Sequence, residues 1–160
     1  MGAGKTAVGR QLARRLKRQF LDSDHELERR TGVDIPTIFE FEGEEGFRSR
    51  ENAVIDELTR GRGIVLATGG GAVLDPDNRR HLAARGTVIY LCTTIDTQLA
   101  RTSRDRNRPL LQTSDPRTRL ESLMAIRDPL YREISDIVVS TDNSRMPALV
   151  NNIIKRLETL

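Results

Sequence analysis

Apolar residues recur four apart at Val8, Leu12 and Leu16 within residues 4 to about 19, which sets them on one face of a helix. Phe20-Leu21 then runs into Asp22-Ser23-Asp24, the pattern of a short strand that ends in carboxylates. Asp24 is expected to cap a helix that runs to Arg30 and stops at Gly32. Two further helical pieces are expected around 35–41 and 45–60. Ile64-Val65-Leu66-Ala67-Thr68 reads as a buried strand leading straight into Gly69-Gly70-Gly71. Asp75-Pro76 opens a helix that Gly86 ends, since proline suits a first turn and glycine a helix end. Val88-Ile89-Tyr90-Leu91 and Ile137-Val138-Val139 are two more apolar strands, with helical spacing at 95–102, 117–133 and 147–160. Strands that are apolar on both faces and alternate with helices predict a parallel sheet covered on both sides. The expected fold is therefore one α/β domain over residues 1–160, with three layers, α/β/α. In such sheets ligands bind beyond the carboxyl ends of the strands, where Asp22, Asp24 and the glycine triplet should converge.

Composition narrows the chemistry. Apolar side chains make up 37% of the 160 residues, with 12 glycines besides, enough for a packed core and too much for wholesale disorder. No apolar run approaches the roughly 20 residues that span a bilayer, and the first twenty residues do not read as a secretory signal. The expected address is cytoplasmic, with no membrane partner. Cys92 is the one cysteine, and with two histidines it makes neither an intrachain disulfide nor a Cys/His zinc cage; His25 and His81 lack partners in a ligand spacing and are expected on the surface. Lys and Arg total 26 against 23 acidic residues, a net charge of only +3, yet 23 of those cations are arginine. The arginine fork suits phosphate and carboxylate. With aromatics at 4%, no tryptophan and a small basic excess, anionic small molecules fit better than nucleic acid.

Met1-Gly2-Ala3-Gly4-Lys5-Thr6 matches the tail of the phosphate-binding pattern G-x-x-x-x-G-K-[ST]. Backbone N–H groups of such a loop point at phosphate oxygens, and the helix that follows presents its positive end to the same anion. Gly2, Ala3, Gly4, Lys5, Thr6 and Ala7 are thus the candidate ATP cradle, with Lys5 on the β- and γ-phosphates and Thr6 on Mg²⁺. A glycine-rich start that happens to precede a helix is the plainer reading. If Gly4 is the second glycine of the pattern, its first two positions lie ahead of Met1, and so does the strand that feeds the loop. The expectation is a P-loop fold whose first strand is missing from this chain. Losing four buried apolar side chains at ~1.5–3 kcal/mol each would be severe.

A kinase must also hold an acceptor in line with the γ-phosphate. With Ser23 pointing away, Asp22 and Asp24 should both face the site, one arranging Mg²⁺ and the other taking a hydroxyl proton. Helix capping is the alternative for this pair. Gly69, Gly70 and Gly71 offer backbone with no side chain in the way of a ligand, or a plain turn. Arg101, Arg104, Arg106 and Arg108 precede Pro109, as in a cationic lid over a polyphosphate or a solvated basic helix face.

Taken in order, Gly-Ala-Gly-Lys-Thr at 2–6, Asp-Ser-Asp at 22–24, Glu-Gly-Glu-Glu-Gly-Phe-Arg at 42–48, Ala-Thr-Gly-Gly-Gly at 67–71, Arg-Pro-Leu-Leu at 108–111 and Arg-Asp-Pro-Leu-Tyr at 127–131 resemble shikimate kinase, a small P-loop kinase. The resemblance runs from Met1 to the C-terminus. It implies ATP-dependent phosphorylation of the 3-hydroxyl of shikimate, with Mg²⁺, by a monomer. It also implies that Asp24 binds the acceptor and serves as base, that Asp22 lies near the metal, and that Arg48 and Arg127 hold the shikimate carboxylate. Gly70 then contacts hydroxyls, and Glu51, one turn beyond Arg48, orients that arginine. Arg108 resembles the lid arginine on the transferring phosphate, Arg101 the one against adenine, and Ser144 falls at a nucleotide contact. Acceptor helices are implied over about 24–60 and a lid over about 104–115. The competing readings are a gluconate-type kinase, a nucleotide-binding remnant without activity, and a nucleic-acid module resting on arginine content alone.

Overall fold

In the computed structural model, which describes residues 2–102, 113–142 and 144–160, strand β3 shows how the layers arise. Successive side chains of a strand point to opposite faces. Ile89 and Leu91 pack against a cluster of Val8, Leu12, Ile137, Val139, Leu149, Val150 and Ile153. That cluster belongs to α1 (Lys5–Leu16), β4 (Ile137–Ser140) and α7 (Met146–Leu157). Between them in β3 (Ile89–Cys92), Tyr90 turns the other way and meets Tyr131 of α6 (Pro116–Ile134), with ring centroids 4.7 Å apart. Helices therefore cover both faces, and the α/β class is as the apolar strands predicted.

The remaining elements are β1 (Gln19–Asp22), α2 (Ser23–Thr31), α3 (Ile35–Leu58), β2 (Ile64–Ala67), α4 (Pro76–Arg85) and α5 (Ile95–Thr102). Among the described residues β1 pairs with β2 and β3 with β4, both parallel, as two two-stranded sheets. The registers Asp22↔Ala67 and Cys92↔Ser140 align the carboxyl ends within each pair. A cavity of about 730 Å³ is lined by both β2 and β3, with Leu12, Val65, Leu91 and Ile153 among its walls. No helix among the described residues is long and apolar enough to cross a membrane.

Helices α2 and α3 bury a second cluster of Leu27, Ile38, Phe47 and Val54. Within α3 the backbone breaks at Gly43 (φ 69°, ψ −176°), so the two expected pieces exist, joined at a glycine that takes a conformation closed to other residues. Two expectations need correction. The cap of α2 is Asp22, whose Oδ1 accepts from the N–H groups of Asp24 at 3.1 Å and His25 at 3.4 Å. The helix starts directly off the strand, so the capping residue is the strand's last one. His81, expected on the surface, is largely covered and lies 3.5 Å from Asp56, tying α4 to α3. The expected lid over about 104–115, with its Arg108, lies outside the described residues except for 113–115, where Asp115 caps α6 by accepting from the N–H of Thr118.

Candidate active site

Gly4 takes a left-handed conformation (φ 82°) as the residue before α1, and Gly2 does the same at φ 67°. Both sit in the phosphate-loop sequence, where the chain must turn its amides toward one point. Arg101 braces this loop from α5. Its Nη1 donates to the Gly2 carbonyl and to Thr141 Oγ1, each at 3.0 Å, and its Nη2 to the Thr141 carbonyl at 3.2 Å. Ser144 lies exposed near the same end, its hydroxyl donating to the Asp142 carbonyl at 3.4 Å. Ala7 is exposed in the first turn of α1.

The two carboxylates after β1 divide their work. Asp22 Oδ2 accepts from Thr6 Oγ1 at 3.2 Å while its Oδ1 caps α2. Asp24 stands a helical residue further on, with Oδ1 buried and without a hydrogen-bond partner among the described residues. Burial raises its pKa, the Asp22 charge raises it further, and Lys5 and Arg48 pull it back. Charges from α1 and α3 thus meet at Asp24.

Arg48 forms the next wall. Its Nη1 donates to Glu51 Oε2 at 2.7 Å and its Nη2 to Glu44 Oε1 at 3.2 Å, and Glu51 is almost wholly buried. Burial raises the Glu51 pKa, with Arg48 acting against that rise. Arg127, only 3% exposed, comes from α6. Burial lowers its pKa, Tyr131 opposes that shift, and the Arg48 charge adds to it. Two guanidinium groups are therefore held near enough to repel one another inside the protein, and Arg127 has no salt bridge among the described residues. Buried charge without a partner is costly. Such a pair calls for an anion.

Gly69 and Gly71 of the glycine triplet lie close against these groups. A Cβ on Gly69 would stand 2.6 Å from Glu51 Oε1 and 2.8 Å from Asp24 Oδ1, and one on Gly71 would run into the Arg48 guanidinium. Ser23, expected to point away, is buried, and its Oγ accepts from the Gly69 N–H at 3.3 Å. The strand-like alternation behind that expectation ends at Asp22, where the helix begins. Tyr131 was also passed over. Its hydroxyl donates to the Gly70 carbonyl, and its place four residues after Arg127, on the same helix face, was the available signal.

Buried polar groups are normally hydrogen-bonded. Here Asp24 Oδ1, Glu51 Oε1, Arg48 Nε and Arg127 Nε all lack partners among the described residues. Two acceptors and two cationic donors around a glycine floor suit a ligand bearing both hydroxyls and a carboxylate.

The sequence model of the family described as Shikimate kinase matches residues 1–158. The chain belongs to the shikimate kinase family. A shikimate kinase of Thioalkalivibrio sulfidiphilus is 63% identical over 153 residues, covering 96% of this chain and 80% of that one. One from Colwellia psychrerythraea is 58% identical, covering 99% and 92%. Among solved structures, shikimate kinase from Acinetobacter baumannii in complex with shikimate superposes with a TM-score of 0.97 at 53% identity, over 99% of this chain and 89% of that one. Within this shikimate kinase the glycine floor offers a direct check. Gly71→Ala pushes on the flexible end of Arg48 and not on backbone, so the melting temperature should hold while the KM for shikimate rises. An unchanged KM would show that Arg48 yields without consequence.

Proposed function

We propose that this chain transfers the γ-phosphate of ATP to the 3-hydroxyl of shikimate, giving shikimate 3-phosphate and ADP, with the residues above in the following roles. The observation that carries the reading is the buried Arg127 near the half-buried Arg48 beside the glycine floor, a site for a carboxylate. The bidentate fork of arginine fits that group.

Lys5 and the N–H groups of residues 2–7 hold the phosphates and take up the charge that develops as the bond to the leaving ADP lengthens. Asp24 accepts the proton of the attacking hydroxyl. The new O–P bond forms as the bond between the γ-phosphorus and the β,γ-bridging oxygen breaks, and ADP leaves with that oxygen. A carboxylate whose pKa is raised by burial is a stronger base than one in water. Gly69, Gly70 and Gly71 present backbone to the acceptor, and Glu51 holds Arg48 in place. Arg101 and Ser144 serve the nucleotide side. Arg108 is assigned to the transferring phosphate by resemblance.

Thr6 Oγ1 and Asp22 Oδ2, hard oxygen atoms 3.2 Å apart beside the loop, fit Mg²⁺, which keeps most of its ligands as water and phosphate oxygens. When bound, the ion would neutralise phosphate charge.

A coupled assay of ADP release with ATP and Mg²⁺ tests the reading. Addition of shikimate should start turnover at roughly 1–100 s⁻¹, and gluconate should not. Turnover with gluconate alone would give the site another acceptor, and turnover with neither would leave a nucleotide binder.

A further inference from the structure

The Tyr131 hydroxyl joins two parts of the acceptor site that lie far apart in the chain. It donates to the Gly70 carbonyl, 61 residues away, and it stands one turn along the same helix from Arg127, whose charge it feels. The ring is gripped as well. It stacks on Tyr90 with centroids 4.7 Å apart. A side chain fixed at both its ring and its hydroxyl can impose geometry on what it touches.

Both of its partners need that. Three successive glycines have wide conformational freedom, so their arrangement must come from outside. Gly69 is tied through its N–H to Ser23 Oγ and through its carbonyl to the N–H of Ala72, and the Gly71 carbonyl accepts from the N–H of Leu74. Gly70, the middle residue, is tied through its carbonyl to Tyr131. With that oxygen engaged, what Gly70 offers a ligand is its N–H, which no hydrogen bond among the described residues uses. Arg127 carries a long flexible stem and has no salt bridge among the described residues to orient it, and Tyr131 is its neighbour four residues on, on the same face of α6. Resting on the shikimate kinase reading, we infer that Tyr131 is a positioning residue for the acceptor: its hydroxyl sets the Gly70 peptide and the Arg127 fork in one geometry, so that hydroxyl and carboxylate ends of the acceptor are recognised together. Burial raises the pKa of this phenol, so it stays a proton donor at working pH.

Tyr131→Phe keeps the ring and its stack and removes only the bridge. Expected is a roughly tenfold rise in the KM for shikimate, the size of losing one or two hydrogen bonds, with the KM for ATP unchanged. Tyr90→Phe is the control, since it removes the hydroxyl of the other ring in the pair without touching Gly70 or Arg127. It should leave both KM values as they are. Because Tyr131 acts through Arg127, the rise in KM from Tyr131→Phe combined with Arg127→Met should fall short of the product of the single effects. An unchanged shikimate KM in Tyr131→Phe, an equal rise in Tyr90→Phe, a joint rise for ATP and shikimate, or full additivity would each overturn the assignment. A wild-type chain that does not phosphorylate shikimate would instead sink the functional reading on which it rests.

Discussion

Asp24→Asn is expected to lower kcat by about 10²–10⁴-fold, the usual contribution of a positioned general base, while ATP still binds. The amide keeps the shape of the carboxylate and cannot take the hydroxyl proton. ATP affinity should survive because the loop amides, Lys5 and α1 hold the phosphates, whereas Asp24 faces the acceptor among Arg48, Glu51 and Gly69. The pH profile supplies a second readout. Burial and Asp22 together raise the Asp24 pKa above 3.8. Asp24 works only when ionised, so protonation sets in at a higher pH than for a carboxylate in water. Activity should therefore fall on the acid side in a limb lying above 3.8, and that limb should be missing from the residual activity of Asp24→Asn. Normal turnover in the variant, or an acid limb that survives the substitution, removes Asp24 as the base.

Arg127→Met is expected to raise the KM for shikimate by about 10- to 100-fold, the equivalent of a charged hydrogen-bonded contact of ~1.5–3 kcal/mol. The same change should leave the free protein at least as stable as the wild type. The sign follows from the pKa. Burial, with Arg48 beside it, lowers the Arg127 pKa, which means that folding disfavours its charged form. An apolar chain of similar length removes that penalty, as replacement of buried charges by packed apolar groups often does. Arg48 is a poorer choice for this test, because its loss would strand the buried carboxylate of Glu51. A melting temperature that drops while the shikimate KM stays put would identify Arg127 as a structural residue.

Much of this could be read along the chain. Val8, Leu12 and Leu16 announced α1, Pro76 and Gly86 bracketed α4, and the second piece of α3 was separable from the first around Gly43. Local periodicity and end signals suffice there because helix formation is decided within a few turns. Asp22 and Asp24 could be named from their place after a strand, and Arg48 and Arg127 from the resemblance of their motifs to shikimate kinase. Ser23 could not. Its burial depends on where strand β1 gives way to α2, and its partner Gly69 lies 46 residues away. Tyr131 stood in view within Arg-Asp-Pro-Leu-Tyr, yet nothing local distinguishes a phenol that holds a distant carbonyl from one that fills a core. His81 looked solvent-exposed because its partner Asp56 is on another helix.

The amino-acid order alone settled the class of fold, since the periodicity of apolar positions is short-range, and it showed the Gly-Ala-Gly-Lys-Thr pattern at 2–6 ahead of a helix. Only the folded chain decided that Asp22 caps a helix while Asp24 keeps an oxygen without a partner among the described residues, that the half-buried Arg48 stands near the buried Arg127, and that a Cβ at Gly69 or Gly71 would press on Asp24, Glu51 or Arg48. Desolvation and repulsion act through space, and they come into being when β1, α3, the glycine loop and α6 are packed together.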